Sequence, residues 1–125
     1  MGDYTPVFAG ALPITFTASA AVTGGQPVEI TGDMTVGPAA AGSQKYVGIA
    51  GHDAAVGAVV TVHTPRGSIE EVATSDAVVA GDHVKAAANG QVAKFVVGTD
   101  SDPARLGMVV KGQSTVGQTC RFLTA

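Results

Sequence analysis

The sequence predicts an all-β fold: a compact small β-barrel or sandwich of short strands, built from two loosely similar units, with an extended N-terminal arm. Three observations carry that expectation. A pattern of Gly, two residues, Val or Cys, one residue and an apolar residue recurs four times. It reads Gly25-Gln-Pro-Val28-Glu-Ile30, Gly57-Ala-Val-Val60-Thr-Val62, Gly81-Asp-His-Val84-Lys-Ala86 and Gly117-Gln-Thr-Cys120-Arg-Phe122. A turn residue followed by alternating apolar positions marks a half-buried strand. The order Gly25, Gly32, Val36, Gly48, Gly57 then returns as Gly81, Gly90, Val92, Gly107, Gly117. Val47-Gly48-Ile49-Ala50 matches Leu106-Gly107-Met108-Val109, and Ala54 to Gly57 matches Ser114 to Gly117. Two units in one body are implied, since a solenoid needs about three or more repeats to bury a continuous core. Finally, Asn89-Gly90 between apolar runs is the strongest hairpin signal in the chain.

The elements follow in order. Residues 1–19 lack the repeat and hold Tyr4, Phe8 and Phe16, with Pro6 and Pro13 favouring extended backbone. They are expected to form the arm, or an edge strand near Ile14 to Thr17 that closes the barrel, and the two readings are compatible. Residues 20–125 form a single β domain. Gln26 to Thr31 and Met34 to Val36 flank Gly32-Asp33, and Gly37 to Gln44 is a loop. Lys45 to Ala50 and Val59 to His63 are strands. Thr64-Pro65-Arg66-Gly67 has Pro second and Gly fourth, a good type I turn, so Val59–His63 and Ser68–Ala73 are expected to pair as a hairpin. Ser75 to Ala88 has Ala77, Ala80, Val84 and Ala87 at helical spacing. Gly81 in its middle disfavours a helix by about 1 kcal/mol, so strand is expected. Val84–Ala88 and Gln91–Val97 form the second hairpin. A polar loop from Gly98 holds one helical turn capped by Asp102 before Pro103. Arg105 to Lys111 and Gln118 to Leu123 complete the sheet.

Composition narrows the function. The chain has 125 residues, enough for one domain that buries about two thirds of its unfolded surface. Its 46% apolar content comes mainly from Ala and Val, with four Phe, two Tyr and no Trp, so each core residue gains little and self-association would add burial. A net charge of −3 without a basic run argues against binding nucleic acid directly. The single Cys120 takes the place of Val28, Val60 and Val84 in the repeat and reads as a core residue. No signal peptide, membrane span or myristoylation site is expected.

Reactive constellations are sparse. His52-Asp53 and Asp82-His83 read as turn residues, because zinc needs about four convergent ligands. Glu70 and Glu71 point to opposite faces of a strand and present no carboxylate pair. Ser68 and Ser114 lack a nucleophile elbow, Cys120 lacks an activating partner, and Gly24-Gly25 opens no phosphate loop. No catalytic, metal-binding or cofactor-binding residue is expected, and the chain is not expected to be an enzyme.

Tyr46-Val-Gly-Ile-Ala50, Gly57 to Val62 and Pro65-Arg-Gly67 resemble the small capsid decoration (head cement) proteins of tailed bacteriophages. Val79-Ala-Gly-Asp-His-Val84, Leu106-Gly-Met-Val109 and Gly117 to Phe122 are similar to the second half of that family, so the likeness spans residues 20–125. The resemblance implies a structural virion protein, made in the host cytoplasm and placed on the outer capsid surface. It implies a homotrimer that binds major capsid protein subunits of the expanded head, without cofactor and without membrane contact. An arm that adds a strand to a capsid subunit would use main-chain hydrogen bonds, with side chains as anchors. Tyr4, Pro6, Val7, Phe8, Ile14 and Phe16 are the expected interface residues. Two alternatives stand beside this: another virion β domain associated with tail or fibre, and a small-ligand-binding β-barrel, for which the lack of Trp is unfavourable.

Overall fold

The computed structural model describes residues 13–64 and 69–124. Ten strands run in chain order: β1 Ile14–Ala18, β2 Pro27–Gly32, β3 Thr35–Pro38, β4 Tyr46–Ala50, β5 Val59–His63, β6 Ile69–Ala73, β7 His83–Ala86, β8 Val92–Phe95, β9 Arg105–Lys111 and β10 Thr119–Thr124. The fold is all-β, as expected. The first five strands close a barrel in the order β1-β3-β2-β4-β5, and the last five form a sheet in the order β6-β10-β9-β7-β8.

The recurrent glycines share one physical cause. Gly25, Gly57, Gly81 and Gly117 have φ of 83°, 83°, 96° and 88°, and a Cβ on any of them would meet nothing within 4 Å. Backbone conformation, not space, therefore demands glycine. Each is the third residue of a turn closed by a hydrogen bond: Gln26 N to Thr23 O, Ala58 N to Ala55 O, Asp82 N to Val79 O and Gln118 N to Thr115 O. Positive φ at that position is the type II signature. Each turn launches a strand whose inward residue, Val28, Val60, Val84 or Cys120, is buried.

The two units share topology pair by pair. Antiparallel β1–β5, β2–β3, β2–β4 and β4–β5 return as β6–β10, β7–β8, β7–β9 and β9–β10. Irregular bridges repeat as well: Val22 with Ala54, and Val78 with Gln113. Only the closing pair differs. β1 and β3 run parallel through Thr17↔Thr35 and Ala18↔Val36, whereas the second unit keeps a single parallel bridge, Thr74↔Val92.

Three expectations need correction. β5 and β6 do not form a hairpin. Both edges of β5 are occupied by β1 and β4, so barrel closure leaves no edge for β6, which pairs with β10 instead. Pro65, Arg66, Gly67 and Ser68 lie outside the described residues. Asp102 does not cap its helical turn; the turn spans Asp102–Ala104 and Ser101 precedes it without a side-chain cap. Gly32 is not the counterpart of Gly90: counting from Val36 and Val92, Met34 stands there, at φ 48° against 72° for Gly90. The Asn89-Gly90 hairpin forms as expected, with both central residues at positive φ and Ala87 N donating to Gln91 O at 2.8 Å. Ser75 to Ala88 contains no α-helix, and only His83–Ala86 of it is strand.

Two buried clusters sit inside the units. Phe16, Ala18, Val22, Val28, Val36, Ala50, Val60 and Val62 fill the barrel. Val72, Val78, Val84, Leu106, Val109, Cys120 and Phe122 dominate the second cluster, which Ala39 and Ile49 of the first unit join.

Candidate functional site

The strand register places one residue from each strand of the second sheet in a lateral row on its outer face. Ile69 pairs with Leu123, Leu123 with Met108, Met108 with His83, and His83 with Phe95. Ile69 is 59% exposed, Met108 41%, Leu123 37%, and Phe95 only 4%. Between these side chains lies an open groove of about 250 Å³ lined by His83, Arg105, Gly107, Met108, Leu123 and Thr124. Nδ1 of His83 is buried with no hydrogen-bond partner. Such an orphan costs about 1–3 kcal/mol unless an outside group satisfies it. The loop after β8 extends the apolar surface with Val96 and with Val97, which is 77% exposed.

The same row exists in the first unit, where Ile49, Pro27 and Ala39 are covered and His63 at its end is exposed. His63 pairs with Ile49, Ile49 with Pro27, and Ala39 N donates to Pro27 O at 3.1 Å. Ile49 and Ala39 are buried in the second unit's core, and Tyr46 packs against the same cluster. Gly42 N of this loop donates to Ala86 O at 2.8 Å, and the Gln26 side chain packs against Gly90. The Tyr46 hydroxyl finds no hydrogen-bond partner; burial first, and then the Glu70 charge, push its pKa far above the ordinary phenol value.

The sequence-derived candidates fall in different places. Tyr4, Pro6, Val7 and Phe8 lie outside the described residues. Ile14 is half-buried on β1, and Phe16 is buried in the barrel cluster. Phe16 Cα pairs with Val60.

His52, Asp53 and Asp82 are tied to backbone. His52 Nε2 accepts from Thr61 N at 3.1 Å and its Nδ1 lies 2.9 Å from Asp53 O, so the proton is on Nδ1. The Asp53 carboxylate accepts from Gly24 N at 2.8 Å. Asp82 accepts from Val79 N at 3.0 Å. Glu71 and Glu70 pair with Arg121 and Phe122, on opposite faces of the sheet. Glu71 accepts from the Thr119 hydroxyl at 2.9 Å. Burial pushes the Cys120 thiol up, away from the reactive thiolate. Among the described residues no three His, Cys, Asp or Glu side chains come together as a metal cage.

Sequence reasoning missed the open row because His83 and Met108 are outward positions of motifs that were read for their inward residues. One signal was available: Met108 and Phe95 stand where the first unit has Ile49 and Ala39, so the repeat keeps these outward positions apolar as well.

Residues 8–123 match the family described as phage cement protein. No curated protein matches at a significant level. Among solved structures, the head fiber gp8.5 N base of bacteriophage phi29 is similar, with a TM-score of 0.67 and 19% identity over 91% of this chain and 93% of that one. At that identity the likeness speaks for the fold.

Proposed function

The chain belongs to the phage cement protein family, and from that membership we propose that it is a non-enzymatic structural protein of the virion that decorates the outside of the expanded head. In this reading it binds as a homotrimer and staples neighbouring major capsid protein subunits, with no cofactor, membrane or nucleic-acid contact. The single observation that carries it is the family match across almost the whole chain. The fold is compatible with the role. The β units give a scaffold, and the outer row gives an apolar surface that the described residues leave open.

Division into an N-terminal arm (1–19) and a β domain (20–125) belongs to the same proposal. Tyr4, Pro6, Val7 and Phe8 supply the capsid anchors, and Ile14 and Phe16 root the arm in the barrel through β1. Three arms acting together would slow dissociation even if each contact were modest.

The test mixes the purified protein with expanded heads stripped of decoration and images them by cryo-electron microscopy. Density at three-fold positions is the expected result; bare heads sink the reading. Deleting residues 2–12 should abolish binding to heads while leaving the folded β body unchanged by circular dichroism. Undiminished occupancy of the deletion variant would remove the arm from the account.

A further inference from the structure

Resting on the cement reading, we propose that the groove on the outer face of the second sheet docks an extended acidic segment of the partner, a capsid subunit. One or two apolar side chains of that segment lie along Ile69, Leu123 and Met108. A carboxylate of the same segment is held by Arg105.

Charge singles out the carboxylate. Arg105 is exposed, lines the groove beside Met108 and Leu123, and makes no ion pair among the described residues. Its strand neighbour Lys85 is held by Asp100 at 2.9 Å, and Arg121 on the same face lies 3.9 Å from Glu71. None of the residues lining the groove is acidic. An unpaired guanidinium at the edge of an apolar surface can grip a carboxylate through two parallel hydrogen bonds. A nucleic acid is the poorer match, because a single lining guanidinium releases few counterions. Asp100 and Asp102, just ahead of Arg105 in the chain, would also repel it.

Shape and the repeat point to a protein segment. From Ile69 through Leu123 and Met108 to His83 the row crosses three strand spacings, roughly 14 Å, the reach of about four extended residues. An open groove of that length suits a strand-like chain better than an enclosed small ligand. The counterpart face of the first unit already meets protein. Where the second unit has His83, Met108 and Arg105, the first has Pro27, Ile49 and Tyr46. Pro27 and Ile49 are buried, and Tyr46 packs against the second cluster. The covered copy of the face is apolar at all three positions, whereas the open copy carries Arg105 and His83. Apolar contact supplies the area, and the added charge selects the partner.

Two experiments on the full chain test this. In the first, expanded heads stripped of decoration are titrated with variants that keep the wild-type circular dichroism. Arg105→Glu should weaken binding about tenfold or more, and Arg105→Gln should weaken it less while flattening its dependence on salt. Heads filled equally well by Arg105→Glu overturn the proposal and leave the cement reading standing. Heads left bare by the wild-type chain take down both. The second experiment follows the Met108 methyl resonance of the free chain. It should shift with a capped hexapeptide alternating leucine and glutamate, and stay in place with one alternating leucine and serine. Equal shifts from both peptides, or none from the acidic one at millimolar concentration, overturn the proposal. A shift on deleting residues 2–12 would put the chain's own arm in the groove, and a shift with single-stranded DNA alone would name a phosphate partner. Either result also overturns it.

Discussion

The two units are one design carried out under different neighbours. In the first, β1 and β3 zip together over two parallel residue pairs and the barrel closes. In the second, the corresponding edges touch at one bridge, and side chains of the first unit enter its core. The inner positions change accordingly. Val62 becomes Phe122 and Val47 becomes Leu106, larger side chains in the unit whose cavity is shared, and both Phe122 and Leu106 are fully buried. Ala18 becomes Thr74, whose hydroxyl donates to Asp76 O at 2.6 Å and lies 3.2 Å from Val92 O beside the seam.

Polar fixtures show the same economy by different means. Ala40 N, at the start of the loop after β3, donates to the Glu29 carboxylate at 2.8 Å. Its counterpart Val96 N donates to Asp100 at 2.7 Å. Where the first unit has Glu29 on the strand, the second has Lys85, which holds Asp100 at 2.9 Å. A loop amide receives a carboxylate in both cases, although the strand charge has reversed. The comparison separates what a repeat must preserve, a satisfied backbone, from what it is free to change.

The strongest way to break the comparison is to hollow one core and watch the other. Phe122→Ala should cost about 3–5 kcal/mol and Val62→Ala less, because the deleted volume is smaller. Since Ile49 and Ala39 belong to the second cluster, both variants should unfold in a single urea transition seen alike by fluorescence and circular dichroism. Two separated transitions would show that the units are independent.

Next in size are the paired glycines where neighbouring strands crowd. A Cβ on Gly48 would meet His63 O, and one on Gly107 would meet Leu123 O, backbone atoms in both cases. Gly48→Ala and Gly107→Ala should therefore each destabilise by about 1–3 kcal/mol or more, by similar amounts. A tolerated alanine in one unit alone, by thermal melting, would show that this crowding is not shared.

A smaller effect is expected at the hairpin tips. Met34→Asn gives the first unit a residue that accepts the left-handed backbone more readily, as Asn89 does in the second. The urea midpoint should rise by the equivalent of about 0.5 kcal/mol, a part of the ~1–2 kcal/mol that this conformation costs an ordinary residue. A lower midpoint would mean that the Met34 side chain stabilises the free chain.

The smallest expected effect is local and depends on pH. The Val96 amide, then the Lys85 hydrogen bond, hold the Asp100 carboxyl below the usual carboxylate range. A depressed folded value means the contribution is complete above the unfolded pKa of about 3.9 and is lost as pH falls through the lower folded value. The amide resonance of Val96 should therefore stay constant at neutral pH and shift only in strong acid. Lys85→Met should move that titration upward, and an unmoved midpoint would remove the lysine from the account.

Much of the fold was legible because its causes are local. The four repeated glycines mark turns that need positive φ, and alternation after each marks the buried residue of a strand. Asn89-Gly90 dictates its own hairpin, and β5 and β9 begin and end at the residues the pattern indicates. A further trace of the repeat, Ala18-Ser19-Ala20-Ala21-Val22 against Thr74-Ser75-Asp76-Ala77-Val78, lies outside the glycine motif. Its meaning is structural: Ser19 and Ser75 hydroxyls both face the carbonyl of the closing strand, Val36 O at 3.2 Å and Val92 O at 3.4 Å. The error over β5 and β6 arose from reading a turn without knowing that both edges of β5 were taken.

The amino-acid sequence by itself determined the all-β class, the strand positions, the duplication and the inward residues, because each follows from backbone torsion and side-chain alternation within a few residues. Tertiary structure decided which edges close the barrel, which loops cross between units and which outer row is covered. Those choices depend on contacts between residues far apart in the chain. Ile49 and Met108 occupy the same place in the repeat, yet one is core and the other is surface. The difference is whether a second unit packs over them.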